Sequence, residues 1–427
     1  MKKLLSVLLA AVMVLGVFAV GASAAFTTTP MVSAGLHHSL ALKSDGTVWG
    51  WGWNNWLQLG DGTNTSRRSP VQVKGLSNIV AVSAGSFHSL ALKADGTVWA
   101  WGYNDYGVIG DGTKTPRSTA VQVESLNDII AIQAGYETSF ALKNDGTIWV
   151  WGQTAGNVAT IREMPVQFTN FSNVTTFSGD IHALALNSDG TILAWGDSRY
   201  GQLGSSTSVQ LHPSPKDARP VDDLSDITAV AVGSRHSLAL DSGGVVWAWG
   251  LNNCGQLGDN SLTNRWTSVQ VQGLSGVTAI AGGGAHSLAL KDDKTVWAWG
   301  LNDSGQLGDG SFENRSTAVQ VQISDAIAIA AGGLMGYFNE FDSEGGHSLA
   351  IKSDGTVWAW GNNGFGQLGD NTTTYSNVPV QVRGLNVFSD SNPPDTFKLW
   401  GVQTRWEKNF WNWVLCIVCF GWIWMAF

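Results

Sequence analysis

With three cysteines in 427 residues, the chain cannot owe its stability to a disulfide framework. Such frameworks show an even, spread set of cysteines. Here Cys254 stands alone, and Cys416 and Cys419 sit together in an uncharged, tryptophan-rich stretch. Their C-x-x-C spacing has no histidine or acid nearby, so they read as small apolar residues of a membrane segment, not as a redox or metal centre. Basic runs are missing too. The formal net charge is −9, and it becomes −11 once Lys2 and Lys3 are set aside. Without a basic stripe the chain lacks the electrostatic footprint of a nucleic-acid binder. Between residues 31 and 387 there is no useful length of helical periodicity. There is also no nucleophile elbow, phosphate loop, HExxH or paired-carboxylate motif. No enzymatic activity, cofactor or metal is therefore expected.

The chain does contain a repeat. Residues 34–52 read AGLHHSLALKSDGTVWGWG, residues 84–102 AGSFHSLALKADGTVWAWG, and residues 134–152 AGYETSFALKNDGTIWVWG. One position indexes all seven copies: Trp49, Trp99, Trp149, Leu193, Trp247, Trp297 and Trp358. Eleven residues earlier stand His38, His88, Thr138, His182, His236, His286 and His347. A period near 50 residues signals a solenoid, propeller or array. Within a unit, Ile79 to Ser83, Ser89 to Lys93, Thr97 to Trp101 and Val121 to Val123 read as strands, and Asp95-Gly96 as a hairpin turn. Trp99 and Trp101 share one strand face, which a neighbouring unit must cover. Burying both is worth on the order of 8–12 kcal/mol per unit before entropy is subtracted. Regular spacing suits a closed ring, which removes free end blades. The expected fold is all-β, a seven-bladed β-propeller over residues 26–388.

The whole unit is glycine, His-Ser-Leu-Ala-Leu, Asp-Gly, Val-Trp-Ala-Trp-Gly, then Asn-x-x-Gly-Gln-Leu-Gly-Asp. It resembles the regulator of chromosome condensation repeat family over about residues 31–387. The resemblance implies a seven-bladed propeller. The family's founding member is a chromatin-bound exchange factor for the GTPase Ran, and its bacterial relatives include secreted propellers, one of them a β-lactamase inhibitor. Fold is thus implied strongly and activity weakly.

The chain's ends differ from the repeat. Residues 1–25 carry Lys2 and Lys3, an apolar run from Leu4 to Val20, and small residues Ala22-Ser23-Ala24, as a secretory signal does. Residues 389–409 read as a linker. From Phe410 to Phe427 nothing is charged, and Trp411, Trp413, Trp422 and Trp424 flank the stretch like the belts of a transmembrane helix. At about 27 Å the helix only just spans a bilayer core. Arg405 and Lys408 precede it and nothing basic follows, the reverse of a usual stop-transfer segment.

Recurring residues are expected to serve the blade. The histidines recur in one slot per blade, with Thr138 replacing one and no other change in its unit, so a structural role is expected. The aspartates of the Leu-Gly-Asp turns (Asp61, Asp111, Asp259, Asp309 and Asp370) lack the alternating ligands of a calcium loop. Arg67, Arg117, Arg162, Arg265 and Arg315, read as lying before the last strand, should link blades or cap turns.

Residues that do not recur are where a partner would be distinguished. Alternating strand direction puts the first-to-second and third-to-fourth connections on one face, which also carries the irregular loops 153–165, 205–220 and 334–345. Blade seven lies opposite the boundary between blades three and four, so these loops flank one surface. On that face lie Trp53, Trp56, Tyr103, Tyr106, Tyr136, Tyr200, Trp266 and Phe365, with Tyr337, Phe338, Glu340, Phe341 and Asp342 in the insertion. Aromatic anchors beside acids suit a protein interface. The expected protein is a monomeric, exported, surface-held scaffold that binds a protein through this face. A carbohydrate- or envelope-binding module is the alternative, and an exchange factor fits less well.

Overall fold

A computed structural model describes residues 26–153, 161–168, 171, 173–205, 211–212, 218–335, 343–344 and 346–388. The expected signal segment, linker and tail lie outside these residues. Among the described residues no helix is long and apolar enough to cross a membrane.

Seven antiparallel sheets follow one another along the chain. Blade two is typical, with strands Ile79–Ala84, His88–Lys93, Val98–Gly102 and Arg117–Gln122, from the innermost outward. The other inner strands begin at Met31, Ile129, Val174, Ile227, Val277 and Ala326. In blade four the outer strand is split into Leu211–His212 and Arg219–Pro220. A short ribbon, Leu334–Met335 paired with Ser343–Glu344, rises from the first turn of blade seven. The seven-bladed expectation holds. The outer strand, however, is longer than its Val-Gln-Val signal suggested. It begins at the recurring arginine, so Arg67 and Arg117 open the strand and do not precede it.

Each blade seam is held by one repeated unit of hydrogen bonds. His88 Nε2 meets Ser139 Oγ of the next blade at 2.8 Å. That hydroxyl donates to the Val108 carbonyl of blade two, and Trp151 Nε1 donates to the same oxygen. Because the serine proton is spent on the carbonyl, the histidine must donate through Nε2. The pairs His38–Ser89, His182–Ser237, His236–Ser287, His286–Ser348 and His347–Ser39 repeat this at 2.7–3.0 Å. Burial holds these rings uncharged, with pKa values lowered to about 3 or 4. The ring packs directly on the glycine three residues earlier. A Cβ on Gly283 would lie 2.3 Å from His286 Cε1, which explains the Ala-Gly-x-x-His start of the unit.

The Gly-Gln-Leu-Gly-Asp loop is equally explicit. Asn54 donates through Nδ2 to the Thr63 carbonyl, and its Oδ1 accepts the Leu59 amide at 2.9 Å. Leu59 enters the core, and the carbonyl of Gln58 receives Ser89 and Trp101 from the next blade. Asp61 binds Arg67 Nε at 2.9 Å and the Thr63 hydroxyl at 2.7 Å. Burial alone would raise its pKa, but these donors hold it below the usual carboxylate value. The arginines therefore brace their own loop: Arg117, Arg265 and Arg315 do the same with Asp111, Asp259 and Asp309. Arg162 differs and lies over the Phe168 ring.

The paired tryptophans divide their work. Trp51, Trp101, Trp151, Trp249, Trp299 and Trp360 are fully buried at the seams. Their partners nearer the rim are half-buried, so the full burial energy expected for both is not realised. Lys43, Lys93, Lys291 and Lys352 cover Trp49, Trp99, Trp297 and Trp358 at 4.6–5.9 Å instead.

One seam breaks the rule. Between blades three and four, Thr138 replaces the histidine and Ala183 replaces the serine that would meet it. Thr138 therefore does not stand without other change, because its partner changed too. Phe140 and Phe177 pack there at 6.1 Å, beside Phe171 and Trp195. An apolar aromatic joint thus takes the place of the polar one.

Blades seven and one close the ring. Val32, Ala41 and Trp51 share a core cluster with Leu349, Leu368 and Val387. The Ser44 amide donates to the Val387 carbonyl at 2.8 Å, and Val387 donates to Gly355 at 2.9 Å. In blade two the corresponding amide, Ile79, bonds Gly46. Val387 thus supplies the first position of blade one's inner strand from the far end of the propeller.

Candidate functional site

The turns between first and second strands, and the long loops between third and fourth, lie on one face as expected. Every seam histidine stands at the end of one of these turns. The preceding residue changes from blade to blade: His37, Phe87, Glu137, Ile181, Arg235 and Ala285 in blades one to six.

Those turns and loops build a continuous aromatic arc. Phe365 of blade seven meets His37 at 4.7 Å and Trp53 at 5.1 Å, both of blade one. Trp53 meets Phe87 of blade two at 6.0 Å. Phe87 reaches Tyr103 at 6.0 Å and Tyr136 of blade three at 6.2 Å. Tyr103 also meets Trp56 at 5.1 Å and Tyr106 at 5.9 Å. Several of these pairs are edge-on, the arrangement the ring quadrupole favours. Trp56 remains 42% exposed and Phe365 38%. Towards the channel, Leu36, Ile181 and Leu334 form an apolar cluster, with Phe87 and Tyr136 against it. Leu334 opens the insertion, so blades one, four and seven meet over the channel mouth.

The expected residues divide into three groups. Trp53, Trp56, Tyr103, Tyr106, Tyr136 and Phe365 come together in the arc. Tyr200 and Trp266 do not. Tyr200 lies under the Arg235 guanidinium at 5.1 Å, and Trp266 is half-buried on the outer strand of blade five. Tyr337, Phe338, Glu340, Phe341 and Asp342 lie outside the described residues. His37, Phe87 and Leu36 are additions that the sequence reading passed over. Their signal was available, since each varies beside an otherwise repeating histidine.

The site's charge is acidic on the side of blades three and four. Burial pushes Glu137 up to about 7. Asp180 is also pushed to about 7 by burial, although it accepts the Tyr136 and Ile181 amides and the Ser234 hydroxyl. The Tyr103 phenol is pushed up first by burial and then by the charge of Asp105. Among the described residues no group of three or more His, Cys, Asp or Glu is placed to hold a metal ion.

Known proteins share this construction. A family model described as "RCC1-like domain" matches residues 77–392, and two for the "Regulator of chromosome condensation (RCC1) repeat" match residues 45–92 and 32–55. The probable E3 ubiquitin-protein ligase HERC3 of Homo sapiens is 34% identical over 94 residues, 22% of this chain and 9% of that protein. The Regulator of chromosome condensation of Xenopus laevis is 31% identical over 114 residues, 26% of each. The chain thus spans about a quarter or less of these relatives' length. The solved structure of Prp20p from Saccharomyces cerevisiae has a TM-score of 0.67 at 23% identity, covering 78% of this chain and 85% of that one. That of human WBSCR16 has a TM-score of 0.63 at 22% identity, covering 71% and 85%. These two likenesses show the fold. With a family model matched across most of the repeat region, the chain belongs to the RCC1-like domain family.

Proposed function

We propose that this propeller is an exported, surface-held, non-enzymatic scaffold that binds a protein through the face carrying the aromatic arc. The observation that supports this best is the arc's continuity. Rings from blades seven, one, two and three touch in series at 4.7–6.2 Å on loops that differ between blades. Rigid aromatic side chains give much contact area for little lost entropy, and variable loops on a fixed frame are where recognition usually sits. The yeast relative Prp20p is described with binding properties to Gsp1p and histones, which accords with a propeller face that meets proteins. The export part of the reading rests on residues 1–25, and the surface part on residues 410–427.

A sugar-binding module remains the second reading, favoured by the half-exposed Trp56 and Phe365. To test the two, the full chain and a Trp53→Ala/Trp56→Ala variant are cross-linked to secreted and surface proteins and identified by mass spectrometry. A partner linked by the parent and lost in the variant is the expected result. Saturable binding of the parent to purified envelope polysaccharide, weakened in the variant and with no protein linked, would put the sugar reading first.

A further inference from the structure

Several aromatic rings elsewhere in this molecule are covered by its own cations. Lysines stand over four rim tryptophans, and Arg235 stands over Tyr200. The rings around Tyr103 are treated differently. No lysine or arginine among the described residues lies over Trp56, Phe87, Tyr103 or Tyr106. Two carboxylates lie beside the same rings: Asp105 stands between Tyr103 and Tyr106 in the loop, and Glu137 follows Tyr136, whose ring meets Phe87 at 6.2 Å. Neither has an ion-pair partner among the described residues, whereas four other aspartates of the long loops, Asp61, Asp111, Asp259 and Asp309, each bind an arginine. Glu137 also gives up much of its hydration for no compensating cation. An aromatic array and two carboxylates are present, with no cation among the described residues over these rings or paired with these acids.

We propose that the Tyr103 cluster seats an arginine side chain carried on a loop of the protein partner, with Trp56, Phe87 and Tyr106 around the guanidinium and Asp105 and Glu137 as its counter-charges. The inference rests on the protein-binding reading above and gives it a chemistry. Arginine fits better than lysine. Its planar, weakly hydrated guanidinium lies against rings and can bridge two carboxylates with separate N–H groups, which a point charge does less well. The seat also explains why burying Glu137 beside apolar rings is tolerated, since its counter-charge arrives with the partner.

The test uses the full chain, kept in mild detergent, and a library of random peptides displayed on phage. Binders directed to the face are those lost on the Trp53→Ala/Trp56→Ala variant, with near-ultraviolet circular dichroism showing that the variant is folded. These binders are expected to carry an arginine. Replacing it with citrulline, which has the shape without the charge, should weaken a synthetic binder about tenfold or more. Glu137→Gln and Asp105→Asn should each weaken it several-fold and leave the citrulline form unaffected. Face-directed binders without arginine, or binders that tolerate citrulline, would overturn the arginine seat while leaving the binding face standing. A library that yields no face-directed binder at all would overturn both.

Discussion

Leu57 stands where five other blades have glycine: Gly107, Gly201, Gly255, Gly305 and Gly366, all at positive φ. Its own φ is 67°, a left-handed conformation that costs an L-residue roughly 1–2 kcal/mol. Leu57→Gly should therefore raise the unfolding free energy by about 0.5–1 kcal/mol, after the glycine's added unfolded-state entropy is subtracted. A lowered urea midpoint would show that the side chain's packing outweighs the backbone strain. This position was legible in the sequence as a break in a repeating glycine, but its sign was not, because the φ angle that makes the break costly belongs to the fold. The arc residues present a similar case. Trp53, Trp56 and Tyr103 were visible as aromatics at non-repeating positions. Phe87 and His37 showed only as variation beside the repeating histidine, outside the aromatics of the long loops. That Tyr200 leaves the arc for Arg235 depends on side-chain approach that no one-dimensional pattern carries.

The seam is the element on which stability turns. Ser287→Ala would leave His236 Nε2–H buried with no acceptor and would remove one of the two donors that share the Gln256 carbonyl. The expected loss is about 1–3 kcal/mol, read from denaturant unfolding. A neutral outcome would mean that the histidine finds another acceptor and that the seam's polar bonds are dispensable. The joint between blades three and four shows one way of doing without them, since Phe140 and Phe177 fill the space that His and Ser occupy elsewhere. The strand pattern was legible at this scale because period two and the Asp-Gly turn repeat with little noise. The pairing of Thr138 with Ala183 was not, because the two residues lie 45 positions apart and become neighbours only when blades stack. The arginines were misplaced for a related reason. The pairing of Gly52 with Arg67 extends the outer strand past its alternating stretch.

At the scale of the whole molecule, six buried neutral histidines set the response to acid. Their folded pKa values, about 3 to 4, lie below the ordinary 6.5. Above pH 6.5 neither folded nor unfolded chain binds these protons, so stability is complete. As pH falls from 6.5 towards 4 the unfolded chain takes them up and the native one does not. Each histidine then removes up to about 1.4 kcal/mol per pH unit. Asp180 and Glu137 work in the opposite sense, because their folded pKa is raised and they favour the native state as pH falls through 7. Two such groups do not offset six. Unfolding free energy measured against pH should therefore drop steeply between pH 6.5 and 4, with a proton uptake of several. A flat profile there would mean that the rings gain solvent or partners in the folded state. The seven-fold ring was legible because repetition multiplies a weak local signal, whereas the manner of its closure was not. The bond between Ser44 and Val387 joins residues more than 300 positions apart. At the usual pace of synthesis, about 5–20 residues per second, that interval takes roughly 20–70 s. For all that time blade one waits with its first inner position unfilled. A chain stopped short of Val387 would still join blades seven and one through His347 and Ser39, but blade one's inner strand would lack its first position, so the last few residues of the propeller complete the blade that was made first.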